Sequence, residues 1–362
     1  MLRLKDYKNK TLVDKLVKAI RDTSSQPVKL MEVCGTHTVA IFRYGLRELL
    51  PANIKLLSGP GCPVCVTANT NIDEAIAAAR TPGVILATFG DMLRVPGSRA
   101  SLAQARAEGA DIRIVYSTMD ALELAAGNPS REVVFFGIGF ETTAPTVAAA
   151  ILAARGKGVA NFSVLATHKL IPQAMKAIIT DSRIGVNGFI CPGHVSTIIG
   201  SSPYQFLAAE YGIPSVITGF EPVDLLQGIL MLVKQLEAGE ARVEIQYSRG
   251  VNAEGNPTAR AMVEQVFQVE DAVWRGIGTI SDTGLAIRPG FSEFDARKKL
   301  ELKIPVSREN PACICGDVLR GLQVPYNCKL YGKVCTPDNP VGACMVSVEG
   351  TCAAYYKYGN RE

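Results

Sequence analysis

Residues 133–145 read VVFFGIGFETTAP. Four apolar residues in succession, two of them β-branched, run into glycines, then an acid, two hydroxyls and a proline that opens a helical pattern. A run without polar alternation belongs to a strand covered on both faces, as in a parallel sheet flanked by helices. The theme recurs along the chain: VKLMEV before Cys34, IKLLS before Gly59, GVILATF before Gly90, IRIVYS before Thr118, FSVLAT before His168, GFI before Cys191 and PSVITG before Phe220. Helical patterns separate these runs over residues 71–80, 99–108, 145–155 and 221–236, with Asn69 or Thr70 suited to cap the first and Gly109 to close the second. The rhythm predicts βαβ units.

A halfway similarity is also visible. Units up to about residue 125 resemble those from 131 to 225, SGPGCPVCVT pairing with FICPGHVST and ATFGDMLRVPG with IGFETTAPT. The expected architecture is α/β: two related parallel-sheet domains, 1–125 carrying Cys34, Cys62 and Cys65, and 126–240 carrying Glu141 and His194. Residues 241–362 form a third, C-terminal unit that holds most of the cysteines. Open parallel sheets bind ligands outside the carboxyl ends of their strands. Five unusual loops occupy that end: CGTHT (34–38), GPGCPVC (59–65), GFETTAP (139–145), CPGHVST (191–197) and GFEPVD (219–224).

Composition narrows the function classes. The 362 residues are 48% hydrophobic, enough for two or three cores, and the net charge is only +4 with no basic block interleaved with aromatics. Nucleic acid is therefore not an expected partner. No run reaches the 18 apolar residues of a membrane span, and the opening MLRLKDYKNKTLVDKL is too charged for an export signal. A cytoplasmic protein is expected, in which ten cysteines serve as metal ligands or reactive thiols more readily than as bridges.

Six of those cysteines lie in the last fifty residues. Cys313, Cys328, Cys335 and Cys352 are separated by 14, 6 and 16 residues, with Cys315 and Cys344 between them. Four thiolates suit a 4Fe-4S cluster or a tetrahedral zinc. Zinc knuckles bring cysteines in pairs two to four residues apart, and Cys313-Ile314-Cys315 is tighter than that. Spacing therefore favours iron-sulfur and leaves zinc, disulfides or unrelated thiols open. Cys62-Pro-Val-Cys65 has the interval of a dithiol redox pair, its alternative being half of a zinc site with no second half in the chain. Cys34 with His37, and Cys191 with His194, form C-x-x-H pairs after strands, where a buried small-hydrophobe cysteine is the plain alternative. His37, His168 and His194, all the histidines of the chain, follow apolar strands, as do Glu141, Glu221 and Asp224, suited to holding iron, moving protons or orienting a histidine. No GxxxxGK[ST] is present, which removes a Walker-type nucleotide site.

MEVCGTHT, GPGCPVC, GFETTAPTVA, CPGHVSTIIG and GFEPVD, followed by the cysteine tail, resemble the hydrogenase maturation factor family HypD over residues 28–352. The resemblance implies two related α/β domains and a C-terminal iron-sulfur domain. It implies a scaffold that, with a small HypC-type partner, builds the Fe(CN)2CO unit of nickel-iron hydrogenases, a HypE-type protein donating cyanide. By the same likeness a 4Fe-4S cluster sits on Cys313, Cys328, Cys335 and Cys352, and Cys315 and Cys344 remain as a tail thiol pair. Cys34 is then the iron-binding thiolate, with His37 beside it, and Cys62 and Cys65 are redox thiols. His194 and Glu141 tune iron or proton handling. A thiolate with a nearby histidine is a reasonable host for the Fe(II) of such a unit. The rival reading is an iron-sulfur disulfide oxidoreductase in which Cys62 and Cys65 act and iron at Cys34 is incidental. A zinc-tailed interaction module is a second.

Overall fold

The computed structural model describes residues 8–302, 304 and 306–359. The first seven residues of the charged N-terminal stretch lie outside them; Lys10–Thr23 forms a helix. Among the described residues no helix is long and apolar enough to cross a membrane.

Each apolar run singled out in the sequence contains a strand. They are β1 (Val28–Glu32), β2 (Ile54–Ser58), β3 (Val84–Thr88), β4 (Ile112–Ile114), β5 (Glu132–Gly137), β6 (Phe162–Ala166), β7 (Gly188–Pro192) and β8 (Ser215–Thr218). Every residue of β3, β6, β7 and β8 is buried, as continuous apolar runs require when helices cover both faces. Three strands carry no such signal: β9 (Val243–Ile245), half-buried throughout, and the hairpin β10 (Phe267–Trp274) with β11 (Gly278–Ile287). The hairpin is long, antiparallel and irregular between Glu270 and Ala272. Its alternation is interrupted by charges, so the sequence period is weak there.

Two parallel sheets result. One runs β2-β1-β7-β8-β9, the other β4-β3-β5-β6. They share a winding. In each, the first strand is flanked on one side by the second, on the other by the third, and the fourth lies beyond the third. Two related α/β halves are therefore present, but they are not consecutive. The chain leaves the first sheet after β2, builds the whole second sheet, and returns as β7. A cut at 125/126 falls between β4 and β5 of a single sheet, and one at 240/241 separates β9 from its partner β8. His194 consequently shares a sheet with Cys34, while Glu141 follows β5 in the other. The loops matched as repeats are neighbours: those after β2 and β7 flank the loop after β1, and those after β3 and β5 adjoin. Local periodicity identifies a strand; its neighbour is decided by long-range pairing, on which periodicity is silent.

Residues 241–362 are likewise not one separate unit. Phe267, Leu285, Ile287, Phe291 and Phe294 are packed into the core of the four-stranded sheet beside Val133 and Phe135. From Cys313 onward the chain consists of the short helices Cys315–Leu319 and Thr351–Tyr358 and the 3-10 turns Pro325–Asn327 and Ala343–Met345. Expected helix ends shift slightly. The helix Asn69–Ala79 has Ala68 at its N-cap, and the Asn69 amide instead donates to the Arg308 carbonyl at 2.7 Å.

Candidate functional site

The winding reverses between β1 and β7, and ligand crevices form at such switch points. Cys34 lies just past β1, and His194 just past β7. Cys34 Sγ and His194 Nδ1 are 3.7 Å apart. Cys34 is 1% exposed and stands at the N-cap of the helix Gly35–Arg43, where the backbone N–H groups of His37 and Thr36 favour its thiolate without a cap hydrogen bond to the sulfur. Burial outweighs those donors and pushes the thiol well above its ordinary range. An arriving cation reverses that balance, because a coordinating thiol is deprotonated by the metal.

His37 and His194 are both kept neutral by burial, at about 3 and about 4. His37 Nε2 donates to the Gly219 carbonyl at 3.0 Å and lies 3.0 Å from Thr218 Oγ1. That carbonyl can only accept, so the proton is on Nε2. Nδ1 keeps its lone pair and has no protein partner. Phe220 packs between the two imidazoles, with ring centroids 4.9 Å from His37 and 5.4 Å from His194. Beneath Cys34, Glu32 is wholly buried; its carboxylate accepts from the Thr38 hydroxyl at 2.6 Å and the Cys34 amide at 3.2 Å. Burial nonetheless pushes it up to about 8. Glu349 arrives from the tail and accepts from Thr36 Oγ1 at 2.7 Å.

The second thiol group follows β2, on the strand next to β1. Cys62 and Cys65 are buried and joined as a disulfide across the first turn of the helix Pro63–Val66. Gly61 places this loop against the Cys34 loop: its carbonyl accepts from Gly35 at 2.8 Å, and a Cβ on Gly61 would overlap the backbone of Val33 and Cys34. Gly61→Ala is therefore expected to destabilise the fold by about 1–3 kcal/mol or more, the cost of overpacking a rigid backbone contact. Equilibrium urea unfolding measures it, and an unchanged midpoint would refute the contact. The far side of the Cys62 helix packs on Ala343–Met345, which carries Cys344.

All six tail cysteines line one cavity of about 20 Å³, walled by Ile314, Val318, Leu330 and Met345 among others. All six are free. Cys313 and Cys315 are near enough that their contact holds the Cys313 thiol down, and the Cys352 thiol beside Cys344 pushes Cys344 up. Cys315 and Cys344 are not joined, but each sulfur is near enough that Cys344 raises the pKa of Cys315. Among the described residues no group of three or more His, Cys, Asp or Glu side chains forms a ready cage for one metal ion. A cubane takes one thiolate per corner iron, so its donors stand apart around a volume instead of meeting at a point. The donor set and apolar walls suit such a cluster. The cavity, with room for about one water, would have to open to receive one.

Glu141 sits past β5, 7% exposed. Its Oε1 accepts from Ile171 N–H at 2.9 Å, and its Oε2 is buried with no partner. Burial pushes the carboxyl up to about 7. The folded state thus binds this proton more tightly than the unfolded chain, and stability falls as pH rises from about 4.5 to about 7. That loss is on the order of 3 kcal/mol. Glu141→Gln keeps the acceptor for Ile171 and lacks the proton. Denaturation at pH 5 and pH 8 should show a smaller drop in the variant, and equal drops would sink the assignment. His168, wholly buried with neither ring nitrogen hydrogen-bonded, lies past β6 and away from Cys34. Cys191 is buried within β7, a core residue. Asp224 is paired with Arg249, and its Oδ1 accepts from Gln246 Nε2 at 2.9 Å; Glu221 caps the helix Pro222–Glu237. Sequence reasoning passed over Glu32, although a carboxylate inside an otherwise apolar strand was a legible signal. Phe220 and Glu349 carried none.

These features define a class: paired parallel α/β sheets with a cysteine and histidine at one switch point, a dithiol on the adjoining strand and a cysteine-lined tail. The chain belongs to the HypD family; the family model described as "HypD: Hydrogenase formation hypA family" matches residues 11–359. It is 53% identical to the hydrogenase maturation factor HypD of Azotobacter vinelandii over 340 residues, 92% of this chain and 90% of that protein. It is 54% identical to the hydrogenase expression/formation protein HupD of Azotobacter chroococcum mcd 1, with the same coverage. Against HypD of Escherichia coli (strain K12) the identity is 44%, over 99% of this chain and 98% of the other.

Proposed function

We propose that this protein acts in hydrogenase maturation as a cytoplasmic scaffold on which, together with a HypC-type partner, an Fe(CN)2CO unit is assembled. A HypE-type protein supplies the cyanide. The iron is cargo. Cys34 is its thiolate, His194 the imidazole 3.7 Å away, and His37 a second neutral imidazole across Phe220. The observation that carries this reading is a cysteine sulfur 3.7 Å from the ring nitrogen of a neutral histidine at a switch point, with a second neutral histidine nearby whose Nδ1 has no hydrogen-bond partner. Iron that brings its own diatomic ligands needs few from the protein, and a soft thiolate suits it. The Cys62–Cys65 disulfide beside it suits thiol-disulfide exchange, in which a substrate or reductant thiolate attacks one sulfur and the other leaves as thiolate.

In the tail, Cys313, Cys328, Cys335 and Cys352 would hold a 4Fe-4S cluster, with Cys315 and Cys344 as a switchable pair. When bound, such a cluster supplies one-electron transfer. Replacing any of the four by Ala is expected to remove the broad visible absorption of the reconstituted protein, whereas Cys315→Ala should retain it. Bleaching by Cys315→Ala with Cys352→Ala still coloured would reassign the ligands.

The joined Cys62–Cys65 pair also favours a second reading, a disulfide oxidoreductase with a cluster and no iron cargo. Anaerobic purification with the HypC-type partner separates the two. The scaffold carries iron in excess of its cluster and shows infrared bands of bound cyanide and CO; the oxidoreductase shows neither.

A further inference from the structure

A buried guanidinium is bonded to the end of the dithiol helix and lines a cavity with two of the tail cysteines. Arg275, in the turn joining β10 to β11, is 3% exposed. Its amide donates to the Val66 carbonyl at 3.0 Å, its Nε to Thr67 O at 2.9 Å, and an Nη to Pro96 O at 2.7 Å. Val66 and Thr67 end the helix that begins at Cys62. On the opposite side the next residue, Gly276, packs directly on Gly316, and a Cβ there would lie 3.7 Å from Cys315 Sγ. A cavity of about 430 Å³ is lined by Arg275 together with Cys313 and Cys315.

Among the described residues no carboxylate is within ion-pair distance of Arg275. Its partners are carbonyls, which orient a guanidinium without neutralising it. The groups close enough for their charge to act on it are the tail thiols Cys315, Cys344 and Cys313, when ionised, and Glu309, whose Oε1 accepts from the Gly276 amide at 3.0 Å. A buried cation held only by carbonyls, with one carboxylate nearby but outside ion-pair distance, is expensive, and ionised sulfur ligands in the tail would offset that cost.

We infer that Arg275 is the fixed counter-charge of the tail's sulfur site, clamped by the carbonyls that end the Cys62–Cys65 helix. The inference rests on the tail being a cluster site. One-electron reduction adds one negative charge there, taken from an external reductant, and a nearby cation favours that state. Arg275 is thus a positioning residue: it sets the electrostatics of the tail from a point rigidly tied to the dithiol helix.

The test is a potentiometric titration, followed by visible absorbance and electron paramagnetic resonance, of the full-length chain reconstituted anaerobically with iron and sulfide. Wild type, Arg275→Gln and Arg275→Lys are compared. In Arg275→Gln the equilibrium constant for one-electron reduction should fall by about tenfold or more, as removal of one near charge predicts at an effective dielectric of about 20. Arg275→Lys keeps the charge and should stay within about threefold of wild type. A Gln variant that titrates like wild type, or Lys and Gln variants shifted equally, would overturn the inference and leave the cluster reading intact. If Arg275→Gln holds no chromophore, Arg275→Lys decides: a near-wild-type titration supports the counter-charge, and loss of the chromophore there too overturns it in favour of a purely structural clamp. No chromophore in wild type would overturn the tail reading and this inference together.

Discussion

Cys34→Ser is expected to abolish the iron cargo, reducing its infrared cyanide and CO bands to below about a hundredth of wild type, since a hydroxyl poorly replaces a soft thiolate on low-valent iron. The fold should survive. Serine is nearly isosteric here, and a hydroxyl is a favoured side chain at the helix N-cap that Cys34 occupies. The tail is formed by other segments, so its visible absorption should be unchanged. His194, 3.7 Å from the lost sulfur, and His37, whose Nδ1 has no partner, would each offer only a single neutral imidazole, so neither is expected to hold the iron alone. Infrared spectroscopy of the variant copurified with its HypC-type partner makes the measurement. Normal cyanide and CO bands in that sample would move the first iron ligand to the partner or to Cys62 and Cys65.

Cys62→Ser and Cys65→Ser should each lower hydrogenase activity in a complemented deletion strain by more than about 100-fold, because dithiol exchange fails when either the attacking or the resolving sulfur is missing. The two losses should be alike, and the double variant no worse than either single one. Both sulfurs are buried at one helix start, and Gly61 ties that loop to Cys34, so a structural defect is the competing explanation. Thermal unfolding distinguishes them. A variant that matures hydrogenase normally, or whose failure matches its loss of folded protein, would remove the pair from the chemistry.

The local elements were legible because the physics that makes them is local. Runs such as VILAT and FSVLA have no polar face to present to water, so they state both that they are strands and that helices cover them. The thiol and histidine loops were found for the same reason: sheets of this class expose their loops at one end. Hairpin β10–β11 escaped notice because its charges break the alternation, and with it went Arg275, whose importance lies in contacts to residues 67 and 96.

By itself the sequence determined the class of the fold and the strands of both sheets up to β8, and it singled out the cysteine, histidine and acidic loops while passing over Glu32 and Arg275. The chain path and the grouping of those side chains were decided only in three dimensions. β7 pairs with β1 across more than 150 residues, bringing His194 to Cys34 and leaving Glu141 in the other sheet. Six cysteines spread over forty residues share one cavity whose walls come from segments without a period of their own. Strand formation is governed by neighbours along the chain; strand pairing and side-chain convergence are governed by burial and loop closure over the whole molecule, which no local window of residues encodes.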